Sequence, residues 1–299
     1  SSNLEGYSRT QIKTLILSGN VIKDDIQIKD PSYITRENDN FSINLIIKKK
    51  DLYKPEDIKL NIVHEDKDLL IVNKPPNLVM HPAPGNENGT LVNALIHHTK
   101  NNLSDLNDSS RPGIVHRLDK DTSGIIVVAK NNQVHVKLSD QFKNHSITRK
   151  YKAIVWGAPD SQRIEGYIER NKKNRKKMSL NTKGFGKYSK TDIRLEKSFG
   201  IASLVDCVLH TGRTHQIRLH LTSRNAPIVG DKIYGKSKIN QYGKDKKTFN
   251  KFMILKNFER QALHAYHLGF THPSTKKRIN FDIELPEDFT NLMDLLLKY

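Results

Sequence analysis

HRLDKDTSGIIVVA, residues 116–129, decides the reading of this chain. Its second half, GIIVVA, is an uninterrupted β-branched run of the kind that forms a buried strand. Its first half is a polar cluster of two carboxylates, Asp119 and Asp121, with His116, Arg117, Thr122 and Ser123. A polar turn entering a buried strand is where a fold can hold an acid rigidly beside a pocket. From the residues alone, Asp119 or Asp121 serves equally as nucleophile or base. A Thr/Ser-capped structural turn explains the same letters.

Working outward, the flanks mix strands and helices without a strict βαβ rhythm. DLLIVN (68–73) is a short apolar strand stopped by Lys74-Pro75-Pro76, followed by the Gly/Pro/Asn loop HPAPGNENGT. Thr90 is expected to cap a helix with Leu91, Ala94 and Leu95 on one side. Another helix starts near Asn132, with Val134, Leu138 and Phe142 four residues apart. Strands are expected at 151–156, 190–197, 201–209, 268–270 and 279–283, the fourth and fifth as a hairpin around HPSTKKR. Thr214 is expected to cap a short helix to Leu221, and an amphipathic helix closes the chain from Glu287. The class is α+β with a largely antiparallel sheet.

Ahead of this unit, residues 1–48 form a small polar-basic piece. Ser8 is expected to cap a helix over Ile12, Leu15 and Ile16 that ends at Ser18-Gly19-Asn20. Short strands follow at 21–22 and 41–47. KKDLYKPED (49–57) reads as a linker, leaving 58–299 as the second domain.

Composition excludes several classes. The 299 residues carry 50 Lys and Arg against 32 Asp and Glu, a formal net charge of +18. Such an excess points to a polyanionic partner. One cysteine, Cys207, excludes a disulfide framework and thiolate-rich zinc modules. It alternates with Val205 and Leu209 and reads as a buried apolar residue. No apolar run is long enough for a transmembrane helix, and the first residues, SSNLEGYSRT, lack the apolar core of a secretory signal. A soluble protein of a reducing compartment is expected. His215 with His220, and His264 with His267, lack a thiolate or carboxylate at zinc-ligand spacing, so no metal is expected.

The charge is concentrated in two runs. Residues 170–190 hold nine Lys or Arg and no acid, among them Lys172, Lys173, Arg175, Lys176 and Lys177. Residues 236–260 hold eight against two acids. Phe185 and Tyr188 sit in the first run, and Tyr242, Phe249, Phe252 and Phe258 in the second. Cations track phosphates, and aromatics stack on unpaired bases. Both runs read as loops docking RNA. Neither has the apolar face of an interfacial helix, so no membrane contact is expected.

Beyond this the residues resemble a known family. HRLDKDTSG is similar to the signature of the RluA family of pseudouridine synthases, HRLDxxTSG. KPPNLVMHP (74–82), RKYKAIVWG (149–157), TGRTHQIRLHL (211–221) with PIVGDKIYG (227–235), RQALHA (260–265) and LPEDF (285–289) resemble the family's remaining segments in the family's order. GNENGTLVNAL and FERQALHA are most similar to its large-subunit rRNA branch. Residues 1–48 resemble the small RNA-binding domain named after the fourth small-subunit ribosomal protein, entered after its first helix.

The resemblance implies the pseudouridine synthase fold and isomerisation of uridine to pseudouridine in large-subunit (23S-type) rRNA, naked or in an assembling subunit. It implies no cofactor. Position by position, Asp119 matches the catalytic aspartate, Tyr151 the tyrosine against the target base, and Arg218 the cation that pairs with the aspartate. Arg117 matches the arginine that fills the space of a flipped nucleotide, and His116 falls beside it as an RNA contact. Attack of Asp119 at C1′, attack on the base and removal of the 2′ proton all remain open. Tyr151 offers a stacking face and a hydroxyl near the C5 proton. A bacterial cytoplasm, or an organelle of bacterial descent, and a monomer are expected. The competing readings are a non-catalytic assembly factor on the same fold and a glycosidase using Asp119 and Asp121 as paired carboxylates.

Overall fold

The apolar runs that opened the sequence reading become strands buried on both faces. In the computed structural model, residues 9–44, 54–83, 85–106, 111–174, 177–235 and 245–299 are described. The chain divides into two units, Ser1–Asp51 and Leu52–Tyr299.

The first unit holds α1 (Arg9–Leu17) and three short strands, β1 (Val21–Lys23), β2 (Ile26–Ile28) and β3 (Phe41–Ile43), in the order β2-β1-β3. Gly19, at φ 72°, ends α1 as its sequence predicts. The strand β2 has no counterpart in the sequence reading. Asp24 and Asp25 are both left-handed, at φ 48° and 63°, and make the tight two-residue turn that pairs β1 with β2. The Ser8 cap lies outside the described residues, as do 45–48 of the strand expected over 41–47.

The second unit is built on β4 (Asn61–Glu65), β5 (Leu69–Lys74), α2 (Leu91–Thr99), β6 (Ser123–Ala129), α3 (Asn132–Lys143) and β7 (Thr148–Trp156). These are followed by β8 (Gln162–Arg170), β9 (Met178–Asn181), β10 (Lys187–Ser198), β11 (Ala202–Leu209) and α4 (Gln216–Ser223). The chain closes with α5 (Lys246–Lys256), β12 (Leu263–Thr271), β13 (Arg278–Asp282) and α6 (Glu287–Lys298). Ten strands form one sheet in the order β4-β5-β6-β12-β7-β11-β10-β8-β9, with β13 also on β12. Every paired strand is antiparallel except β6 with β12, joined in parallel through Ser123↔His264 and Gly124↔Ala265. The expected α+β class and mainly antiparallel sheet are what the structure has.

Helices cover both faces of β5 and β6, which explains why these strands read as continuous apolar runs. On one face Leu69, Ile71, Ile125 and Val127 pack with Val134 and Leu138 of α3. On the other, Leu70, Val72, Ile126 and Val128 pack with Leu91, Val92 and Leu95 of α2 in the larger core, which also takes Phe289, Leu292 and Leu296 of α6. Each such side chain contributes about 1.5–3 kcal/mol of burial. At the start of α2 the Thr90 N–H and hydroxyl both donate to Asn93 Oδ1, at 3.1 and 2.5 Å.

Three local expectations change. Residues 54–57 of the expected linker belong to the second unit, because Glu56 accepts from the Gly89 N–H and the Lys54 carbonyl accepts from Asn93. The basic run 170–190 is not one loop. It holds the end of β8, all of β9 and the start of β10, with Arg170, Lys172, Lys173, Lys183 and Lys187 exposed. The basic run 236–260 contains α5, capped by Asp245 accepting from the Thr248 N–H. Residues 236–244 of that run, with Tyr242, lie outside the described residues.

Candidate active site

Residues 119–124 are fastened in turn. The Asp119 carbonyl accepts from the Thr122 N–H at 3.1 Å, closing a turn. The Lys120 carbonyl accepts from Lys74 Nζ at 2.9 Å, and the Asp121 carbonyl from Arg260 Nη1 at 3.3 Å. Thr122 Oγ1 accepts from Gln261 at 2.6 Å, and Ser123 Oγ lies 2.9 Å from His264 Nδ1. Gly124, at φ 127°, passes so close to β12 that a Cβ would lie 2.3 Å from the Ala265 carbonyl oxygen. This is why TSG is followed so much later by RQALHA: the two segments hold each other.

Lys74 gives the KPPNL segment its purpose. It is fully buried, and its ammonium donates to the carbonyls of Pro75, Leu78 and Lys120. Burial pushes its pKa down to about 7, against the opposing pull of Asp121 and Asp119.

The turn presents Asp119 to α4. Asp119 Oδ2 accepts from Arg218 Nη1 at 2.8 Å. The rest of the Arg218 fork is taken by Asp231, whose two oxygens accept from Nε and Nη2 at 2.7 and 2.9 Å. Asp231 also accepts from the backbone N–H of Ile233 and Tyr234, and its side chain is wholly buried. Burial opposes charge on both partners. The pairing nevertheless holds the Asp231 carboxyl below the usual range and pushes the Arg218 guanidinium up. Arg218 is therefore a fixed cation, aimed at Asp119 by a second carboxylate that the sequence reading did not single out. The Tyr234 ring covers it, with Cζ 5.1 Å from the ring centroid.

His215 is the other neighbour of Asp119. It begins α4 from a left-handed conformation, φ 58°, and thus replaces Thr214 as the residue at the helix N-terminus. Its Nε2 lies 3.8 Å from Asp119 Oδ2 and its Nδ1 2.8 Å from the Tyr234 hydroxyl. That hydroxyl accepts from the Met178 N–H at 2.7 Å, which ties the start of β9 to the site.

These groups line a cleft of about 430 Å³ whose walls include Arg117, Leu118, Asp119, Phe142, Tyr151 and Arg218. The structure thus brings together every residue expected near the chemistry. Tyr151 stands on β7 in the wall, 7 % exposed, and burial with the nearby Asp119 pushes its phenol up to about 12. Below that value it is a neutral ring carrying a hydroxyl. Arg117 is at the exposed rim. His116 is built into the wall: Nε2 accepts from the Val127 N–H at 3.0 Å, the ring stacks on Phe142 at 4.6 Å, and burial lowers its pKa to about 3. Asp121 is not among the residues of the cleft, which removes the geometric basis for a paired-carboxylate glycosidase.

Of the basic turn, Lys172 and Lys173 are exposed and Lys177 is half-buried. Arg175 and Lys176 lie outside the described residues. The turn is shaped by Asn171, whose side chain accepts from the N–H groups of Lys173 and Asn174.

Behind the cleft, polar side chains lock α4 to β10. Gln216 donates to the Lys190 carbonyl and Thr191 Oγ1, and accepts from Thr211 and Arg213. His220 sits between Ser189 and Thr191 hydroxyls, neutral because burial lowers its pKa to about 4. One histidine–carboxylate group among the described residues has metal-like spacing, Asp66, Asp68 and His272. Its histidine is fully engaged otherwise. Nδ1 accepts from the Ser274 and Thr275 N–H groups, so Nε2 carries the proton it donates to Asp66. No described helix is long and apolar enough to cross a membrane. Cys207 is buried, and burial pushes its thiol up.

Comparison with known proteins shows the family. The family model described as RNA pseudouridylate synthase matches residues 68–223. Ribosomal large subunit pseudouridine synthase D of Zymomonas mobilis is 43% identical, over 99% of this chain and 92% of that protein. An RNA pseudouridine synthase of Bacillus subtilis, YlyB, is 39% identical, over 100% of this chain and 92% of that protein. In fold, the chain resembles human RNA pseudouridylate synthase domain containing 4, with a TM-score of 0.58 and 23% identity over 79% of this chain and 93% of that one. The chain belongs to the RluA-type RNA pseudouridylate synthase family and is an isomerase that makes pseudouridine in RNA.

Proposed function

We propose that the chain isomerises uridine to pseudouridine in large-subunit (23S-type) rRNA, with Asp119 as the catalytic carboxylate and the target uridine flipped into the cleft. The observation that carries this reading is Asp119 Oδ2 held 2.8 Å from Arg218 Nη1 in a cleft shared with Tyr151. Breaking N1–C1′, turning the uracil and joining C5 to C1′ consumes no co-substrate. The reaction needs an oriented carboxylate, a flat surface for the base and shelter from water. Asp119, fixed by Arg218, is the first. The neutral ring of Tyr151 is the second. A base cannot reach a carboxylate recessed in such a cleft while stacked in a duplex, so it must leave the stack. Arg117 at the rim is placed to take up the vacated stacking position and a phosphate.

The substrate reading is supported by the charge of +18 and by the likeness over nearly the whole chain to ribosomal large subunit synthases. RNA would be docked by Lys172, Lys173, Arg175, Lys176 and Lys177, and by the first unit acting as the small ribosomal-protein-type RNA-binding domain. We place the enzyme in a bacterial cytoplasm or an organelle of bacterial descent, acting as a monomer without metal or cofactor.

The test is tritium release from large-subunit rRNA fragments labelled at uridine C5, with Asp119→Ala as control. Release by the wild type and none by a folded Asp119→Ala is expected. No release from any fragment overturns the proposal, and release by the variant removes Asp119 from its role.

A further inference from the structure

The cleft carries more positive charge than Asp119 needs. Arg117, Lys143, Arg149, Arg213 and Arg218 line it against a single carboxylate. Arg218 is spoken for by Asp119 and Asp231. Arg149 has no carboxylate to answer its charge among the described residues. It lies on β7 two residues before Tyr151, so the two side chains leave the strand on the same face. It is 7 % exposed, no acceptor meets its Nε, and among the described residues no carboxylate pairs with it. Its contacts are the face of Phe142, 5.5 Å from Cζ, and the backbone at Gly212. A Cβ at position 212 would sit 2.5 Å from Arg149 Nη1, so the glycine of TGRTH makes room for the guanidinium. Arg213, next along, uses Nε on the Tyr188 carbonyl at 2.9 Å and adds its own charge. Burial and the charge of Arg213 both disfavour the Arg149 cation.

A buried cation with no counter-ion is costly, and the cost is removed when a ligand brings the missing charge. The planar fork of arginine matches a phosphate better than any other side chain does. We propose that Arg149, admitted by the missing side chain of Gly212 and backed by Arg213, anchors one RNA backbone phosphate beside the uridine whose base lies on Tyr151. The inference rests on the reading of the cleft as the uridine site. It adds a phosphate contact within the cleft itself, separate from the basic turn and from the rim arginine.

The test uses the unmodified rRNA fragment that the wild type binds most tightly, with affinity measured across a range of KCl. Arg149→Met is expected to weaken binding about 10–100-fold, the value of a charge-assisted contact. The slope of log affinity against log salt is expected to shrink by about 0.7–0.9, the value of one phosphate. Arg149→Lys should keep the slope. Without RNA, Arg149→Met should melt at or above the wild-type temperature, because it removes an unpaired charge; a purely structural arginine would lower it. Gly212→Ala keeps every charge and displaces the guanidinium, and should also weaken binding and flatten the slope. Wild-type affinity and slope in Arg149→Met overturn the proposal. If that variant does not fold, the same result in Gly212→Ala overturns it. Absence of tritium release by the wild type bears on the uridine reading, whereas the salt slope decides the phosphate.

Discussion

Asp231→Asn isolates what the second carboxylate does for the first. The substitution keeps the shape of a side chain that is wholly buried and accepts four hydrogen bonds. An asparagine oxygen can still accept from the Ile233 and Tyr234 N–H groups. Its amide nitrogen must then face Arg218, donor against donor. The charge-assisted bond from Arg218 Nε is lost, the bond from Nη2 keeps only a neutral acceptor, and the buried guanidinium keeps Asp119 as its one charged partner among the described residues. Such bonds contribute about 1.5–3 kcal/mol each, and breaking a buried pair costs about 3–5 kcal/mol. We expect a loss of about 3–5 kcal/mol in urea unfolding, a large part of the roughly 5–15 kcal/mol of a typical domain. Held by one neutral bond in place of two charged ones, Arg218 is expected to shift toward Asp119 and move the carboxylate off line. The turnover rate should therefore fall about 10–100-fold at saturating RNA, with KM changed less than threefold, because no RNA contact is touched. Single-turnover tritium release, measured where the variant is folded, separates the two constants. A variant as active as the wild type would falsify the orienting role of Asp231. A loss confined to KM would move its role to RNA binding.

Two further outcomes follow from the catalytic turn. Lys74→Met leaves three buried carbonyls without a donor and should cost about 2–5 kcal/mol; the same midpoint as wild type in urea would refute this. Because the native Lys74 releases its proton near pH 7 and the unfolded chain near 10.5, the unfolded state binds more protons between those values. Wild-type stability should therefore rise relative to Lys74→Met from pH 7 to pH 10, and parallel curves would show that Lys74 does not titrate there. Gly124→Ala forces a methyl onto Ala265 of β12 and should destabilise by more than about 3 kcal/mol, with loss of activity; a folded, active variant would show that β6 and β12 can separate without consequence.

Segments whose chemistry is local were legible in the sequence. The runs LLIV and GIIVV could only be buried strands, and the spacing of Val134, Leu138 and Phe142 could only be one helix face. The likeness of HRLDKDTSG, RKYKAIVWG and TGRTHQIRLHL to family segments brought Asp119, Tyr151 and Arg218 to notice before any geometry, and one cleft holds all three. What escaped notice depends on contacts across the chain. β8 interleaves charged with apolar residues and β9 is only four residues, MSLN, so the hairpin within the basic run read as a charged loop. In α5 the apolar Phe252, Met253 and Leu255 were hidden by lysines, and only Leu255 is buried. Asp231 and Tyr234 look like ordinary residues of a loop until Arg218 is placed against them. Lys74 and Arg149 were not singled out by their charge, because nothing local distinguishes a lysine that meets three carbonyls from one in water. His116, expected as an RNA contact, lines the cleft with its Nε2 held by a strand N–H, a bond that no local signal announces.

The parallel pairing of β6 with β12 has a consequence in time. Ser123 and His264 are 141 residues apart, and the turn that carries Asp119 is clamped by residues 260–265. On the ribosome the signature segment emerges early and its clamp late. Closing so long a loop is also slow in refolding. A chain still being translated through residue 250 therefore has the carboxylate but not the site. Modification activity therefore switches on only once residues 260–265 have docked, long after the carboxylate itself has been made.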